Sequence, residues 1–337
     1  MSRKIKDYVV IGLKGMAMGA ADVVPGVSGG TIAFISGIYE ELLGSISNIN
    51  IGLFKTLKKE GFKTAWKQLN GNFLLALFIG IFISIVSLAK AIKYLLENEP
   101  IILWSFFFGL VLASIIYIAK QITKWNFISI IILILGAFLA YYITTLNPLV
   151  SESSSSLYIL FAGAIAICAM ILPGISGSFI LVLLGAYKPI LDAVTNRDFK
   201  TILIFMTGAV VGLLAFSKVL KWLFNNYKNY TLAVLTGFII GSLNKIWPWK
   251  LTQSVFDKSS SAFVQFNEVS NLGSLSVYQK QLNNFETYKV ALEKSISPFQ
   301  YSEVNLGMDA QLIPAIILAI VGFALILLME KLAVKKQ

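Results

Sequence analysis

Two glycine- and serine-rich clusters carry the residue types from which an anion site can be built: Gly26, Ser28, Gly29, Gly30 and Thr31, and, 148 positions later, Gly174, Ser176, Gly177 and Ser178. Each follows a proline inside an apolar run, so each interrupts a helix and frees backbone N–H and C=O groups. Helix N-termini present unpaired N–H groups and a partial positive charge, small residues let an anion approach the backbone, and hydroxyls add further donors. In lipid such interruptions persist only where they are buried in protein or line a polar cavity. The bland reading of Ser28 and Ser176 is that they cap the helices that follow; the recurrence of the cluster favours a ligand site.

The recurrence is extensive. PGVSGGTIAFISGIYEELL (25–43) lies on PGISGSFILVLLGAYKPIL (173–191) with eight of nineteen positions identical, where ordinary residue usage gives about one or two. The long first motif, GAADVVPGVSGGTIAFISGIYEEL, together with the second PGISGS, resembles the polyprenyl-phosphate transporter family, membrane proteins tied to undecaprenyl-phosphate recycling. The second copy departs from the first at Ser178 for Gly30, Phe179 for Thr31 and Lys188-Pro189 for Glu40-Glu41. A role for Thr31 or Glu40 is therefore not expected to act twice.

Four further charged residues stand out. Asp22 lies three residues before the first proline in an apolar run, where an ionised carboxylate is costly and points to proton or sodium traffic; the alternative is a carboxylate bonding freed N–H groups of the knot. Glu40, which matches the family motif, is the second candidate for coupling. Lys14 in the first arm is positioned to neutralise a phosphate. Arg197, beside the second hairpin, offers a bidentate fork for a lipid phosphate, against the commoner role of a loop arginine.

The elements that must hold these residues are helices in a membrane. Of 337 residues 57% are apolar and 13% charged, and mean hydropathy is +0.77, the profile of a polytopic membrane protein. The net charge of +11 comes almost wholly from lysine, with only Arg3 and Arg197 as arginines, which reads as membrane topology rather than nucleic-acid binding. Cys168 is alone and histidine is absent. No His nucleophile, His metal cluster or internal disulfide is available, so we expect no enzyme, no metal site and no cofactor beyond H+ or Na+ as a possible coupling ion. The basic, apolar first twenty residues read as the start of the first hairpin and not as a signal peptide, because Lys14 splits the run.

The expected fold is an all-α polytopic membrane protein built of two inverted-topology repeats, each a re-entrant helical hairpin plus three transmembrane helices. Repeat one covers 1–146, with the hairpin at 8–46 and spans at 72–96, 100–119 and 126–146. Repeat two covers 147–250 with 310–337, with the hairpin at 157–195 and spans at 201–224, 230–247 and 312–330. A second self-match at an offset of 128, from Gly80, Lys90 and Gly109 to Gly208, Lys218 and Gly237, carries the repeat beyond the knots. Residues 251–309 form an extracytoplasmic polar insert, in which Leu275, Tyr278, Leu282, Phe285, Tyr288, Leu292 and Ile296 are spaced as on an amphipathic helix. An odd number of crossings per repeat turns the second half upside down. Placing both termini in the cytoplasm puts the lysine-rich segment 55–67 and the C-terminal lysines inside, as the positive-inside rule requires.

From the residues alone the function is a secondary transporter of an anion. The resemblance implies a translocase for undecaprenyl or other polyprenyl phosphate in the bacterial cytoplasmic membrane, returning the carrier lipid from the outer to the inner leaflet for cell-wall precursor synthesis; coupling to a proton or sodium gradient is the expectation drawn from Asp22. An ion-coupled transporter of a small soluble anion shares the residue-level features and is the alternative.

Overall fold

The computed structural model describes residues 3–23, 28–146, 155–257, 262–265, 288–304 and 309–334. The first hairpin begins with α1 (Ile5–Val23), which leads to the first knot. Its return arm is two short helices, α2 (Gly29–Ile35) and α3 (Tyr39–Ser47), rather than the single arm expected over 27–46. The second hairpin repeats this plan with α9 (Ser156–Ile171), α10 (Gly177–Leu183) and α11 (Tyr187–Thr195). Both return arms break at glycines 148 positions apart, Gly37 at φ 72° and Gly185 at φ 70°. That backbone region costs L-residues about 1–2 kcal/mol, so glycine is the natural occupant.

Between the hairpins the lysine-rich stretch forms two helices, α4 (Ile51–Glu60) and α5 (Phe62–Gln68). Three long apolar helices follow: α6 (Gly71–Asn98), α7 (Pro100–Ala119) and α8 (Phe127–Thr145). Beyond the second hairpin, α12 (Phe199–Gly241) runs where two separate spans were expected, with Tyr227 non-helical at φ −136°, ψ 42°. Glu99, 128 positions earlier, makes the turn between α6 and α7 at φ −134°, ψ 50°. The loop expected at 225–229 thus contracts to one residue, because a single non-helical residue redirects the chain without leaving a run of unpaired backbone groups. The chain closes with α14 (Leu312–Val334). Among the described residues four helical stretches, in α6, α7, α8 and α12, are long and apolar enough to cross a bilayer, and the protein is an α-helical polytopic membrane protein.

Helix pairs pack through glycine. Gly80 of α6 seats against the Gly12 carbonyl of α1, and Gly208 of α12 against the Leu160 carbonyl of α9, at positions related by the offsets of 128 and 148. Gly109 of α7 meets Ala319 of α14, while Gly237 in the second arm of α12 meets Leu133 of α8. Lipid offers no hydrophobic driving force between helices, so close backbone approach at small residues supplies the association by dispersion. The core lies where the hairpins meet α6, α7 and the second arm of α12, with Phe73, Leu77, Leu43, Leu232, Leu235 and Ile239 almost fully buried. Large apolar side chains of α6, α8, the first arm of α12 and α14, such as Phe82, Phe138, Leu203 and Ile320, face outward as a lipid-facing surface requires.

The insert departs from expectation. Residues 288–295, read as part of an amphipathic helix, form strand β3 (Tyr288–Ser295), paired antiparallel with β1 (Lys250–Asp257), which also pairs with β2 (Ala262–Gln265), in the order β2-β1-β3. Leu275, Tyr278, Leu282 and Phe285 lie outside the described residues. Tyr288 and Leu292 fit a three-and-four spacing, but alternation along β3 fits equally, and pairing with β1 supplies the backbone bonds that decide it. A short helix, α13 (Pro298–Val304), follows the sheet. Trp249, Ile296, Tyr301 and Ala310 pack the insert onto Ile101 at the start of α7 and Ala315 near the start of α14. The Trp249 indole N–H donates to the Ala310 carbonyl at 2.8 Å, satisfying a buried donor that an apolar contact would leave unpaired.

Candidate functional site

The two knots meet. Ser28 Oγ donates to the Met170 carbonyl at the end of α9 at 2.9 Å and accepts the Gly30 N–H at 3.1 Å. Thr31 Oγ1 accepts the Gly174 N–H at 2.9 Å, and Tyr39 donates its hydroxyl to the Ile171 carbonyl at 3.1 Å. A Cβ on Gly30 would lie 2.6 Å from the Ile171 oxygen, so only glycine permits this approach. Gly174 has φ 87°, and a side chain there would also strike Ser242 Oγ at 2.6 Å and the Phe238 carbonyl at 3.0 Å. Proline ends α9, the left-handed glycine turns the chain, and the Gly174 N–H and the Met170 and Ile171 carbonyls are satisfied across the junction.

Within the first knot the protein supplies its own acceptors. Asp22 Oδ1 takes the Gly29 N–H at 2.6 Å, the geometry of the alternative reading for this residue. Ser28 caps α2 as well as bridging to α9. Ser28 and Thr31 are 3% and 2% exposed, so neither hydroxyl faces an open space. Gly29 is also buried, its Cα against the Asp22 carboxylate. Gly26 lies outside the described residues.

The second knot is different. Ser176 makes no side-chain cap to α10. Its Oγ instead pairs with Ser178 Oγ at 3.0 Å, and Ser178 is exposed. Gly177 is buried against the Ala166 carbonyl, where a Cβ would stand at 2.7 Å. Phe179, in the place that Thr31 has in the first copy, carries the Lys245 ammonium 4.4 Å from its ring centroid.

The remaining charged candidates lie at a distance from this junction. Lys14, half-buried, donates to the Ser36 carbonyl at 2.5 Å and so holds the C-terminal end of α2. Glu40 forms an ion pair with Lys228 at 2.8 Å, both about half exposed, tying α3 to α12 just after its Tyr227 turn. Beside it Glu41 takes a fork from Arg3 at 2.5 and 2.6 Å and a bond from Asn70 at 2.7 Å. Lys221 reaches the Ser47 hydroxyl at 3.1 Å. Arg197 is exposed in the turn between α11 and α12, in the left-handed region at φ 56°.

Two lysines that the sequence reading passed over lie just beyond α12. Lys245 sits in a 3-10 turn, Leu243–Ile246, directly after α12. Lys250 at the start of β1 is buried, stacked 3.8 Å over the Trp104 ring of α7 and paired with Glu293 of β3 at 3.4 Å. Burial lowers the Lys250 pKa, and the Glu293 carboxylate counters part of that. The adjoining Trp247-Pro248-Trp249 signalled a membrane boundary, where lysines are common, so sequence alone gave no reason to separate these two from the rest.

Residues 18–264 match the VCA0040-like family, described as undecaprenyl phosphate translocase-like. Over 335 residues, 99% of this chain and 100% of the relative, the sequence is 46% identical to the polyprenyl-phosphate transporter of Vibrio cholerae serotype O1. It is 32% identical over 253 residues, 70% of this chain and 85% of the relative, to the polyprenyl-phosphate transporter of Staphylococcus aureus. No solved structure matches the chain. With the paired knots in place and the match running through both of them, the chain belongs to the undecaprenyl phosphate translocase-like family.

Proposed function

We propose that this protein is a translocase for polyprenyl phosphate of the undecaprenyl class, carrying the lipid's charged head across the membrane at the junction of the two knots while the prenyl tail stays in lipid. The single observation that carries the reading is the direct contact of the two interruptions, through Ser28 with Met170 and Thr31 with Gly174. Broken helices meeting at the junction of two related halves are how secondary transporters build a midplane site. Relatives named for polyprenyl-phosphate transport supply the substrate class. The matched glycine contacts, the matched turns at Glu99 and Tyr227 and the paired hairpins support an inverted two-fold arrangement. With both termini in the cytoplasm of a bacterial cell, movement runs from the outer to the inner leaflet and returns the carrier for cell-wall precursor synthesis.

In the resting geometry the first knot acts as a seal and the second as the receiving surface. Opening breaks the Thr31–Gly174 and Ser28–Met170 bonds and frees the Gly174 N–H and the Ser28 hydroxyl to donate to the phosphate, so the substrate takes over both donors. Asp22 is the proposed coupling group: protonation from the gradient would weaken its hold on the Gly29 N–H and loosen the seal. Glu40, tied to Lys228 beside the Tyr227 turn, is placed to couple α3 to α12.

The test is movement of a labelled polyprenyl phosphate in proteoliposomes, with an imposed proton or sodium gradient and without one. Faster loss of label from the outer leaflet than in protein-free vesicles is expected, together with acceleration by one gradient. Equal rates with and without protein overturn the reading, and uptake of a soluble phosphate or carboxylate in its place turns it toward a transporter of small anions.

A further inference from the structure

We propose that Lys245, held over the Phe179 ring of α10, forms a receptor for a phosphate monoester on the insert side of the second knot, with the Lys250–Glu293 pair tuning its charge. The inference rests on the transport reading for its lipid source, but its chemistry stands on these residues.

Lys245 is half-buried, and its ammonium lies against the Phe179 ring face. Among the described residues no carboxylate lies within ion-pair distance of it, whereas Lys250 has Glu293 at 3.4 Å. A partly desolvated ammonium that faces a ring and has no ion-pair partner among the described residues retains donors for an incoming anion, and Lys is well suited to bind phosphate as a point charge. The fields of Lys250 and Glu293 both reach Lys245. Among the described residues the cluster sets two lysines against one carboxylate, an excess of cation that attracts a monoester anion. In the first copy the corresponding residue is Thr31, which is buried and closes the junction. The substitution of an aromatic for a hydroxyl thus converts a sealing position into a platform for a cation supplied by a turn 66 residues further along the chain.

The probes are farnesyl phosphate, farnesol and inorganic phosphate, applied to the purified full-length protein and to proteoliposomes. In the wild type, acetylation of Lys245 by a water-soluble acylating reagent, followed by mass spectrometry, is expected to slow several-fold with farnesyl phosphate and to be unchanged by farnesol. Protection by inorganic phosphate at the same concentration would assign the site to free phosphate rather than to a lipid head and would overturn the lipid source. In proteoliposomes, Lys245→Gln is expected to raise the polyprenyl phosphate concentration for half-maximal transport by about tenfold, the loss of one charge-assisted bond. The rate at saturation should be unchanged, and Lys245→Arg should restore the affinity. Unprotected Lys245 in a wild type that transports overturns the receptor and leaves the transport reading intact. A protected Lys245 in a protein that moves no lipid upholds the receptor and overturns transport.

Discussion

At the first knot the Asp22 carboxylate and the Ser28 and Thr31 hydroxyls each hold a backbone N–H, whereas at the second Ser176 and Ser178 hold each other on an exposed surface and the nearby cation rests on a ring. The two motifs began from one pattern and share their proline, glycines and first serine. They differ where Thr31 stands against Phe179 and Gly30 against Ser178. In one copy the side chains are spent on bonds across the junction, and in the other the hydroxyls bond only each other. Two copies of one motif need not fold into equal environments, because the same backbone break can be closed by an internal carboxylate or left with its hydroxyls on the surface.

The comparison breaks most sharply at its backbone. Gly174→Ala places a side chain at φ 87° and against Ser242 and Phe238, so a loss of about 2–4 kcal/mol is expected from strain and overpacking together. Gly37→Ala has the same kind of φ but nothing within 4 Å, so it should lose only about 1–2 kcal/mol. Thermal unfolding in detergent checks both, and equal shifts in melting temperature would mean that the knot contact is not tight.

Next in size is Thr31→Val, which leaves the buried Gly174 N–H without an acceptor and should cost about 1–3 kcal/mol. Ser178→Ala, on the exposed side, should leave the melting temperature unchanged and weaken transport affinity a few-fold. If Ser178→Ala proves the more destabilising, the assignment of seal and receiver is reversed.

Asp22→Asn keeps an acceptor for the Gly29 N–H but removes the titrating group. Stability is expected to change little while transport loses its response to the driving gradient, read as equal rates with and without it. A variant that still responds fully places coupling elsewhere. The smallest effect belongs to Glu40→Gln, since its pair with Lys228 is about half exposed and such pairs contribute about 0–1 kcal/mol. A modest change in rate with unaltered melting temperature would support a coupling role for the α3–α12 tie, and wild-type rates would remove it.

Much of the architecture was legible because membranes restrict the menu. Long apolar runs must be helices, and a Pro-Gly-x-Ser-Gly sequence inside one must interrupt it, so the helices and both knots could be read from pattern alone. The same pattern did not reveal that α2 and α3 are separate, although Gly37 and Gly185 already matched. A lone glycine inside a helical pattern is compatible with continuation, and only the backbone angles distinguish the two cases. The β-sheet of the insert was missed for a related reason: Tyr288, Leu292 and Ile296 satisfy a helical spacing, and the strand partner that overrides it, Lys250–Asp257, lies nearly forty residues away.

What the sequence alone determined is the class of protein, the two interruptions and their unequal side chains, because hydrophobicity, helix breaking and residue identity are local properties. Which hydroxyls are buried in bonds across the junction and which stay on the surface was decided only by the tertiary structure. Ser28 and Thr31 are consumed by Met170 and Gly174 from the other half of the chain, and Lys245 gains its place by folding back onto Phe179. Hydrogen-bond capacity and desolvation depend on what packs across the junction, and that information resides in contacts between residues 66 to 143 positions apart.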